Sequence, residues 1–385
     1  MSKKKVLMPY LLTGGGHLGP AKALKEALET VYPDTFECIL FEGFGEENKI
    51  LKSLIESGYT VVSAKALLAY ITVYYISILR PVMSIEQNLI KMRTIKRFRK
   101  ALEEYNPDLI VSFHPLLNGV IRQAVKDSGK NIPIYVMVLD PFTPHPAWFH
   151  YRDLKMIVYT DYLYNIAVKR YKVPPENLVK LPMILNPKYS KKLPPEELRQ
   201  IKSKLGFNPE NNLVLIASGG VALRNADSVV RHFLLNQNAK GIDLAVVCGR
   251  DKDMEERVRK IVNEHNKYNY NVKVFGFIDF MYELQNIADV IITKAGASGT
   301  MEALVLEKPI IISSYIWGQE TGTVKFVERE KLGLHIENPK KVISKTIELL
   351  RNREMYETFV NNIKKHNFKN GYEDQSNFFY SLFTK

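Results

Sequence analysis

Cysteine is nearly absent from this chain: 385 residues hold two, Cys38 and Cys248. They lie far apart in sequence inside apolar runs, with no Cys or His at metal-ligand spacing around them. A disulfide framework and a zinc module are thereby set aside, and two buried thiols in a reducing compartment are expected. Acidic side chains are also short, 41 against 54 Lys and Arg, for a net charge of +13. Such an excess attracts phosphates, nucleic acid or an anionic membrane surface and does not choose among them. No RNP-type aromatic motif, zinc knuckle or helix-turn-helix pattern accompanies the basic residues, which argues against nucleic acid. The opening MSKKKVLMPY has too short an apolar region for a signal peptide, so a cytoplasmic protein is expected. With 46% hydrophobic and 25% charged residues, the composition is that of an ordinary globular protein, and the length suits two domains.

What is present is organised around residues 289–326, DVIITKAGASGTMEALVLEKPIIISSYIWGQETGTVKF. It reads as a buried strand, Val290 to Thr293, a small-residue turn from Lys294 to Gly299, a helix from about Ser298, and a second strand, Pro309 to Ser313. A strand that opens through Gly and Ser onto a helix presents unpaired backbone N–H groups and a partial positive charge, a ready phosphate or diphosphate site. Ser298, Gly299 and Thr300 are its candidates. Glu302, one turn on, is placed to accept hydrogen bonds from a ribose. Gln319 and Glu320 offer a donor and an acceptor to hydroxyls beyond the phosphates.

A similar unit starts the chain. The strand Val6–Tyr10 runs through Gly14-Gly15-Gly16-His17 into the helical run AKALKEALETVY. Glycines there let a ligand approach the backbone, but GGGHLG lacks the GxGxxG spacing of a dinucleotide site. The imidazole of His17 at the mouth of such a loop suits proton transfer from a hydroxyl near neutral pH.

After the strand Phe36–Phe41 the αβ rhythm breaks. Residues 58–79, GYTVVSAKALLAYITVYYISIL, carry Lys65 as their one charge and are long enough to span a bilayer. A spanning helix would put two parts of one α/β domain on opposite sides. A segment that packs partly on the core and partly in the membrane interface, with Tyr59, Tyr70, Tyr74 and Tyr75 at headgroup depth, fits better; a buried core helix is the alternative. The following run, Lys91 to Lys100, holds six basic residues in ten. It makes Arg93, Lys96 and Arg97 candidate contacts to anionic lipid.

Strands resume at Asp108–Phe113, ending in His114, and at Ile134–Leu139, ending in DPFTPHPAWFH, residues 140–150. Polar residues at the carboxyl ends of such strands are where open α/β sheets bind ligands. Asp140 is the expected partner of His17, a carboxylate that orients the imidazole. His145 and His150 lack the one-face spacing of a helical zinc pair, and the prolines disfavour a helix, so they are expected, with His114 and Trp148, to shape an acceptor site; satisfying buried hydrogen bonds is the alternative for the histidines. Linker composition at Lys188–Pro195 sets a boundary there. Beyond it, Asn212–Ala217 runs into Ser218-Gly219-Gly220-Val221, a second phosphate-facing loop. Asn271–Phe275 leads into GFIDFM, residues 276–281. The one Asp-x-Asp, Asp251-Lys252-Asp253, sits at a helix start and is expected to cap it.

The pattern TKAGASGTMEAL, then KPIIIS, then GQETGTVKFV resembles the donor-binding half of the glycosyltransferases that include MurG and the monogalactosyl- and glucosyl-diacylglycerol synthases. The GQE form, the GGGH turn and the HPAWFH segment are similar to the diacylglycerol branch; Leu139 and Lys180 depart from its pattern. The resemblance implies an α/β chain of GT-B architecture, two Rossmann-like parallel domains with a cleft between them. It implies an acceptor and membrane domain at 1–187, a UDP-sugar domain at 188–365, and a tail, 366–385, packing back on the first. It implies inverting transfer of glucose or galactose from a UDP-sugar to the free hydroxyl of diacylglycerol, with His17 as base and Asp140 behind it. In that scheme Gly16 borders the donor, and Phe277 and Met281 hold the uracil. Gly219 and Gly220 join residues 298–300 at the diphosphate, which Arg224 and Lys294 neutralise, so that no metal or other cofactor is expected. The expected partners are UDP-hexose, diacylglycerol and anionic lipids, and the expected place is the cytoplasmic face of the membrane. A lipid-linked cell-wall precursor as acceptor, or a non-catalytic membrane-surface module on the same fold, are the alternatives.

Overall fold

The computed structural model describes residues 3–12, 16–45, 72, 74–217 and 223–384. Gly14, Gly15, Gly219, Gly220 and most of the apolar segment 58–79 therefore lie outside the described residues. The chain divides into two units, one of Met1–Pro187 with Trp317–Gln319 and Asn370–Lys385, the other of Lys188–Ile316 with Glu320–Lys369.

Six parallel strands build the first unit: β1 (Lys4–Tyr10), β2 (Phe36–Glu42), β3 (Leu109–Ser112), β4 (Ile134–Met137), β5 (Lys155–Val158) and β6 (Leu178–Lys180). Their order is β2-β1-β3-β4-β5-β6. The short strand β6 has no counterpart in the reading of the sequence. Strands such as LIVS of β3, buried throughout, are continuous apolar runs because helices cover both faces of a parallel sheet. The order turns back once, between β1 and β3, and there the loops leaving the two carboxyl ends diverge and open a crevice. β1 leads to His17 and β3 leads to His114.

The helix Arg80–Tyr105 starts with Pro81 in its first turn and stops at Asn106, whose φ of 44° is left-handed. It buries Met83, Gln87, Ile90, Thr94, Phe98 and Ala101, a stripe at helical spacing. Its other side carries Ile85, Leu89 and Met92, which are 60%, 56% and 73% exposed. Among the described residues no helix is long and apolar enough to cross a membrane. The helix Tyr372–Ser381 packs on this unit: Tyr380 stacks on Tyr32 with ring centres 4.1 Å apart, and Phe379 meets the edge of Tyr135. Asn370 fastens its approach, accepting from Leu185 N–H at 2.8 Å and donating to Asn186 O at 2.9 Å.

The second unit has β7 (Asn212–Ile216), β8 (Ile242–Val247), β9 (Val272–Phe275), β10 (Val290–Lys294), β11 (Ile310–Ser314) and β12 (Gly333–His335). They are ordered β12-β11-β10-β7-β8-β9, the doubly wound order of nucleotide-binding domains. Its switch point lies between β7 and β10. β10 runs into the Lys294–Gly296 turn and the helix Ala297–Val305, and β7 runs into residues 218–222, outside the described set. Val214, Ile216, Leu244, Val246, Val290 and Ile292 meet in one buried cluster beneath these ends. Asp251 caps the helix Lys252–His265, accepting from Met254 N–H at 3.0 Å.

Candidate functional site

The turn-back of the first sheet gathers histidines. His17 ends the loop after β1 as the residue before the helix Leu18–Val31. Its Nδ1 lies 2.7 Å from the carbonyl oxygen of Phe113. A carbonyl only accepts, so Nδ1 carries the proton and Nε2 keeps its lone pair. Burial pushes the His17 pKa down to about 4, the Phe113 carbonyl pulling weakly the other way. The ring is therefore neutral at physiological pH.

His114 lies beside it, ring centres 4.4 Å apart, and burial, then the two neighbouring histidines, hold its pKa well below the usual value. Its Nδ1 accepts from Leu116 N–H at 3.3 Å. His145 does the same for Ala147 N–H at 3.2 Å, and its Nε2 meets the Ser77 hydroxyl at 3.1 Å. Burial takes it to about 4. The three imidazoles are thus not equivalent: His114 and His145 spend Nδ1 as acceptors that cap turns, while His17 alone of the three has Nδ1 as donor and Nε2 as acceptor.

The expected His17–Asp140 pair does not form. Phe113 O occupies Nδ1 of His17, and Asp140 Oδ2 accepts from the indole N–H of Trp148 at 2.7 Å. The physical reason is that Trp148 is 1% exposed and its N–H needs a buried acceptor. Asp140 thus fixes Trp148, whose rings lie 6.2 Å from His17. Tyr74 packs its ring edge-on to His145 at 5.4 Å, and Tyr75 is 47% exposed. Arg97, read as a lipid contact, turns inward instead: it donates to Glu42 O at 3.1 Å and lies 4.6 Å over the Phe41 ring, a cation–π seat. Arg93 and Lys96 stay exposed.

In the second unit, the helix Ala297–Val305 begins after Gly296 with no side chain capping it, so its first amides are left for solvent or ligand. A Cβ on Gly299 would meet nothing within 4 Å, and the same holds for Gly16 in the first unit. Neither has a positive φ. Protein packing and backbone conformation thus do not account for glycine at these two places, whereas close approach of a ligand would. Thr300 departs from its expected role: it is fully buried and its amide donates to Gly296 O, because by the fourth residue the helix has closed its own ladder.

Glu302 receives a hydrogen bond from Gln285 Nε2 at 3.3 Å, and Gln285 in turn accepts from the Tyr189 hydroxyl at 2.5 Å. Burial raises the Glu302 pKa to about 7, with Gln285 and Tyr189 opposing. Glu320 is not a free hook: it is 7% exposed, Oε2 accepts from Ile316 N–H at 2.8 Å, and Oε1 faces Lys294 Nζ at 3.4 Å. A buried carboxylate needs such a partner, so Lys294 is engaged as well. Gln319 is partly buried and Arg224 exposed. Phe277 is 63% exposed, with the Arg250 guanidinium 4.8 Å over its ring. Arg250 was not singled out in the sequence, where a Gly-Arg pair after β8 carries no signal of its own. Met281 opens the helix Met281–Ile287 beyond it. Among the described residues no group of His, Cys, Asp and Glu is arranged to hold a metal.

Residues 17–179 match the monogalactosyldiacylglycerol (MGDG) synthase family, and residues 214–373 match the glycosyltransferase family 28 C-terminal domain. The chain is 28% identical over 346 residues to a probable monogalactosyldiacylglycerol synthase, chloroplastic, of Nicotiana tabacum, covering 88% of this chain and 63% of that protein. It thus spans somewhat less than two thirds of that plant relative. It is 26% identical over 349 residues to the processive diacylglycerol beta-glucosyltransferase of Bacillus cereus strain B4264, covering 90% and 86%. Among solved structures it is similar to MurG of Acinetobacter baumannii, at a TM-score of 0.64, 14% identity and coverage of 98% and 99%. The fold is therefore GT-B, as the two parallel six-stranded sheets and the MurG likeness require. The chain thus joins an MGDG synthase domain to a glycosyltransferase family 28 C-terminal domain, and along most of its length it is similar to diacylglycerol glycosyltransferases.

Proposed function

We propose that this protein moves a hexose from a UDP-sugar to the free hydroxyl of diacylglycerol, with inversion, while seated on the cytoplasmic face of a membrane. The observation that carries the reading is the neutral His17, its Nδ1–H held by Phe113 O and its Nε2 free to accept a proton, in a chain whose relatives are named as diacylglycerol glycosyltransferases. In the reaction, the diacylglycerol hydroxyl attacks the anomeric carbon as its proton passes to Nε2, and the bond to the UDP oxygen breaks. One displacement at that carbon gives a β-glycoside. General-base help of this kind is worth about 100- to 10,000-fold.

The donor belongs on the second unit. Its diphosphate meets the uncapped amides at Ser298 and Gly299, with Gly219, Gly220 and Arg224 as further contacts, and its ribose meets Glu302. Uracil lies by Phe277 and Met281, and sugar hydroxyls by Gln319. Fixed amide donors and cations supply the charge stabilisation that a divalent ion would otherwise give a leaving diphosphate, so the reaction is proposed to need no metal. Glu320 and Lys294 act as a pair, the carboxylate holding the ammonium in place. His114, His145 and Trp148 shape the acceptor side.

The membrane seat is the outer stripe Ile85, Leu89 and Met92 with exposed Arg93, Lys96 and Lys100 around it. Each apolar side chain taken out of water contributes about 1.5 kcal/mol or more, and each basic residue near an anionic surface about 1 kcal/mol. Neither set holds a protein firmly alone; together they do. The test is incubation with UDP-glucose or UDP-galactose and diacylglycerol in anionic vesicles, with mass analysis of the lipid. A hexosyl-diacylglycerol is expected, and sugar appearing only on a lipid-linked cell-wall precursor, or on nothing, refutes the reading.

A further inference from the structure

The stretch just past Pro187, Lys188–Pro195, has the composition of a linker, yet it is fastened to the second unit. Lys188 pairs with Glu283 at 2.9 Å, the Tyr282 hydroxyl donates to Lys191 O at 2.8 Å, and Lys192 pairs with Glu307. Tyr189 lies among these contacts, buried, its ring edge-on to Tyr282 with centres 5.2 Å apart. Its hydroxyl reaches Gln285 Oε1 at 2.5 Å, and Gln285 Nε2 reaches Glu302 Oε2 at 3.3 Å. Packing accounts for the ring; the hydroxyl begins a polar chain that ends on the carboxyl group read as the ribose contact.

The direction of each bond follows from the last one. An ionised carboxylate only accepts, so the Gln285 amide turns its nitrogen to Glu302 and its oxygen to Tyr189, and the phenol must donate. Burial, then Glu302, push the Tyr189 pKa far above its usual value, so that proton stays in place. Gln285 is itself buried. With its oxygen satisfied by Tyr189, the amide is held against the flip that would point that oxygen at the carboxylate. The chain thus presents a fixed donor to Oε2, opposes the effect of burial on the carboxyl group, and leaves Oε1 for a ligand hydroxyl. Of the other groups on the helix Met281–Ile287, the Glu283 carboxylate acts on Tyr189.

We propose that Tyr189 is a positioning residue for nucleotide binding: acting through Gln285, it aims the Glu302 carboxylate at the ribose hydroxyls, and the stretch after Pro187 thereby belongs to the donor site. The inference rests on the reading of Glu302 as the ribose contact.

Tyr189→Phe keeps the ring, and Gln285→Met keeps the length of the side chain without its donor. UDP is titrated calorimetrically, across pH, into the whole protein carrying each change, alone and together with E302Q, and circular dichroism checks the fold. In the otherwise wild-type protein each change is expected to weaken UDP binding about 3- to 10-fold at neutral pH, the worth of one hydrogen bond. Each should also raise, by about half a unit to one unit, the pH at which affinity increases with ionisation of Glu302. With E302Q present neither should change the affinity further, because the carboxylate they serve is gone. Folded Y189F and Q285M proteins that bind UDP as the wild type does, while E302Q binds it more weakly, overturn this inference alone. So does an equal loss in the E302Q background with an unmoved pH midpoint, the mark of a merely structural role. E302Q with wild-type affinity overturns the ribose reading and this inference with it.

Discussion

Glu302→Gln is predicted to make this protein more stable and worse at holding its donor. Glu302 sits among Gln285, Tyr189 and the buried side of its helix, and burial lifts its carboxyl from 4.5 to about 7. The sign follows from linkage: between those values the unfolded chain is ionised and the folded one still protonated. Stability therefore falls as pH rises from about 4.5 and levels off above about 7. The shift of roughly 2.5 units corresponds to about 3 kcal/mol at pH 8 as an upper figure, and under about 1 kcal/mol at pH 5. Glutamine keeps the shape and can still accept from Gln285, without the charge. The variant should gain up to about 6–12 °C in the melting of the second unit at pH 8, at about 2–4 °C per kcal/mol for a unit of this size, and far less at pH 5. In exchange it loses the charged acceptor for the ribose hydroxyls, worth about 1.5–3 kcal/mol, so UDP should bind roughly 10- to 100-fold more weakly. Calorimetry across pH with and without UDP reads both. Equal stability of the two proteins at pH 8, or unchanged UDP affinity, would refute the assignment of Glu302 as an ionised ribose contact held at a cost in stability.

Three further outcomes follow from the same structure. The pH profile of kcat/KM should rise through an acid limb near 4, set by the depressed His17, and through a second near 7 set by Glu302; E302Q should abolish the upper limb, and a single limb at 6.5 in the wild type would contradict both. Replacing Ile85, Leu89 and Met92 together by Ser should reduce partition onto anionic vesicles at least about 100-fold while leaving UDP affinity unchanged, as measured by vesicle sedimentation. Gly371→Ala would set a Cβ 2.1 Å from Pro182 O. It should cost about 3 kcal/mol or more by displacing the helix Tyr372–Ser381, read as a lower denaturant midpoint of the first unit.

Most strands were legible because they are short apolar runs closed by polar residues at the carboxyl end, as in β3 followed by His114 and β10 followed by Lys294; β6, three residues with only Leu178 buried, was not. Position within the sheet was not: only the strand order shows that His17 and His114 leave neighbouring strands on either side of a switch point and meet as tilted rings, although 96 residues separate His17 from the carbonyl that holds it. The helix Arg80–Tyr105 escaped detection as a helix because Ile85, Leu89 and Met92 on its outer face blur the apolar stripe on its inner one. Arg97 looked like its basic neighbours and differs only in facing Phe41 and Glu42. Polar partners were the least legible. Whether Asp140 serves His17 or Trp148 depends on a few ångströms, and Glu320 was read by its residue type alone, with no sign that Ile316 N–H and Lys294 would claim it.

The account stands most directly on one comparison: glycolipid formed from UDP-hexose and diacylglycerol by the wild type and by His17→Ala, with UDP affinity measured on both. If His17 Nε2 takes the acceptor's proton, the variant binds UDP as the wild type does and turns over about 100- to 10,000-fold more slowly. Glycolipid synthesis by the variant at close to the wild-type rate would contradict it.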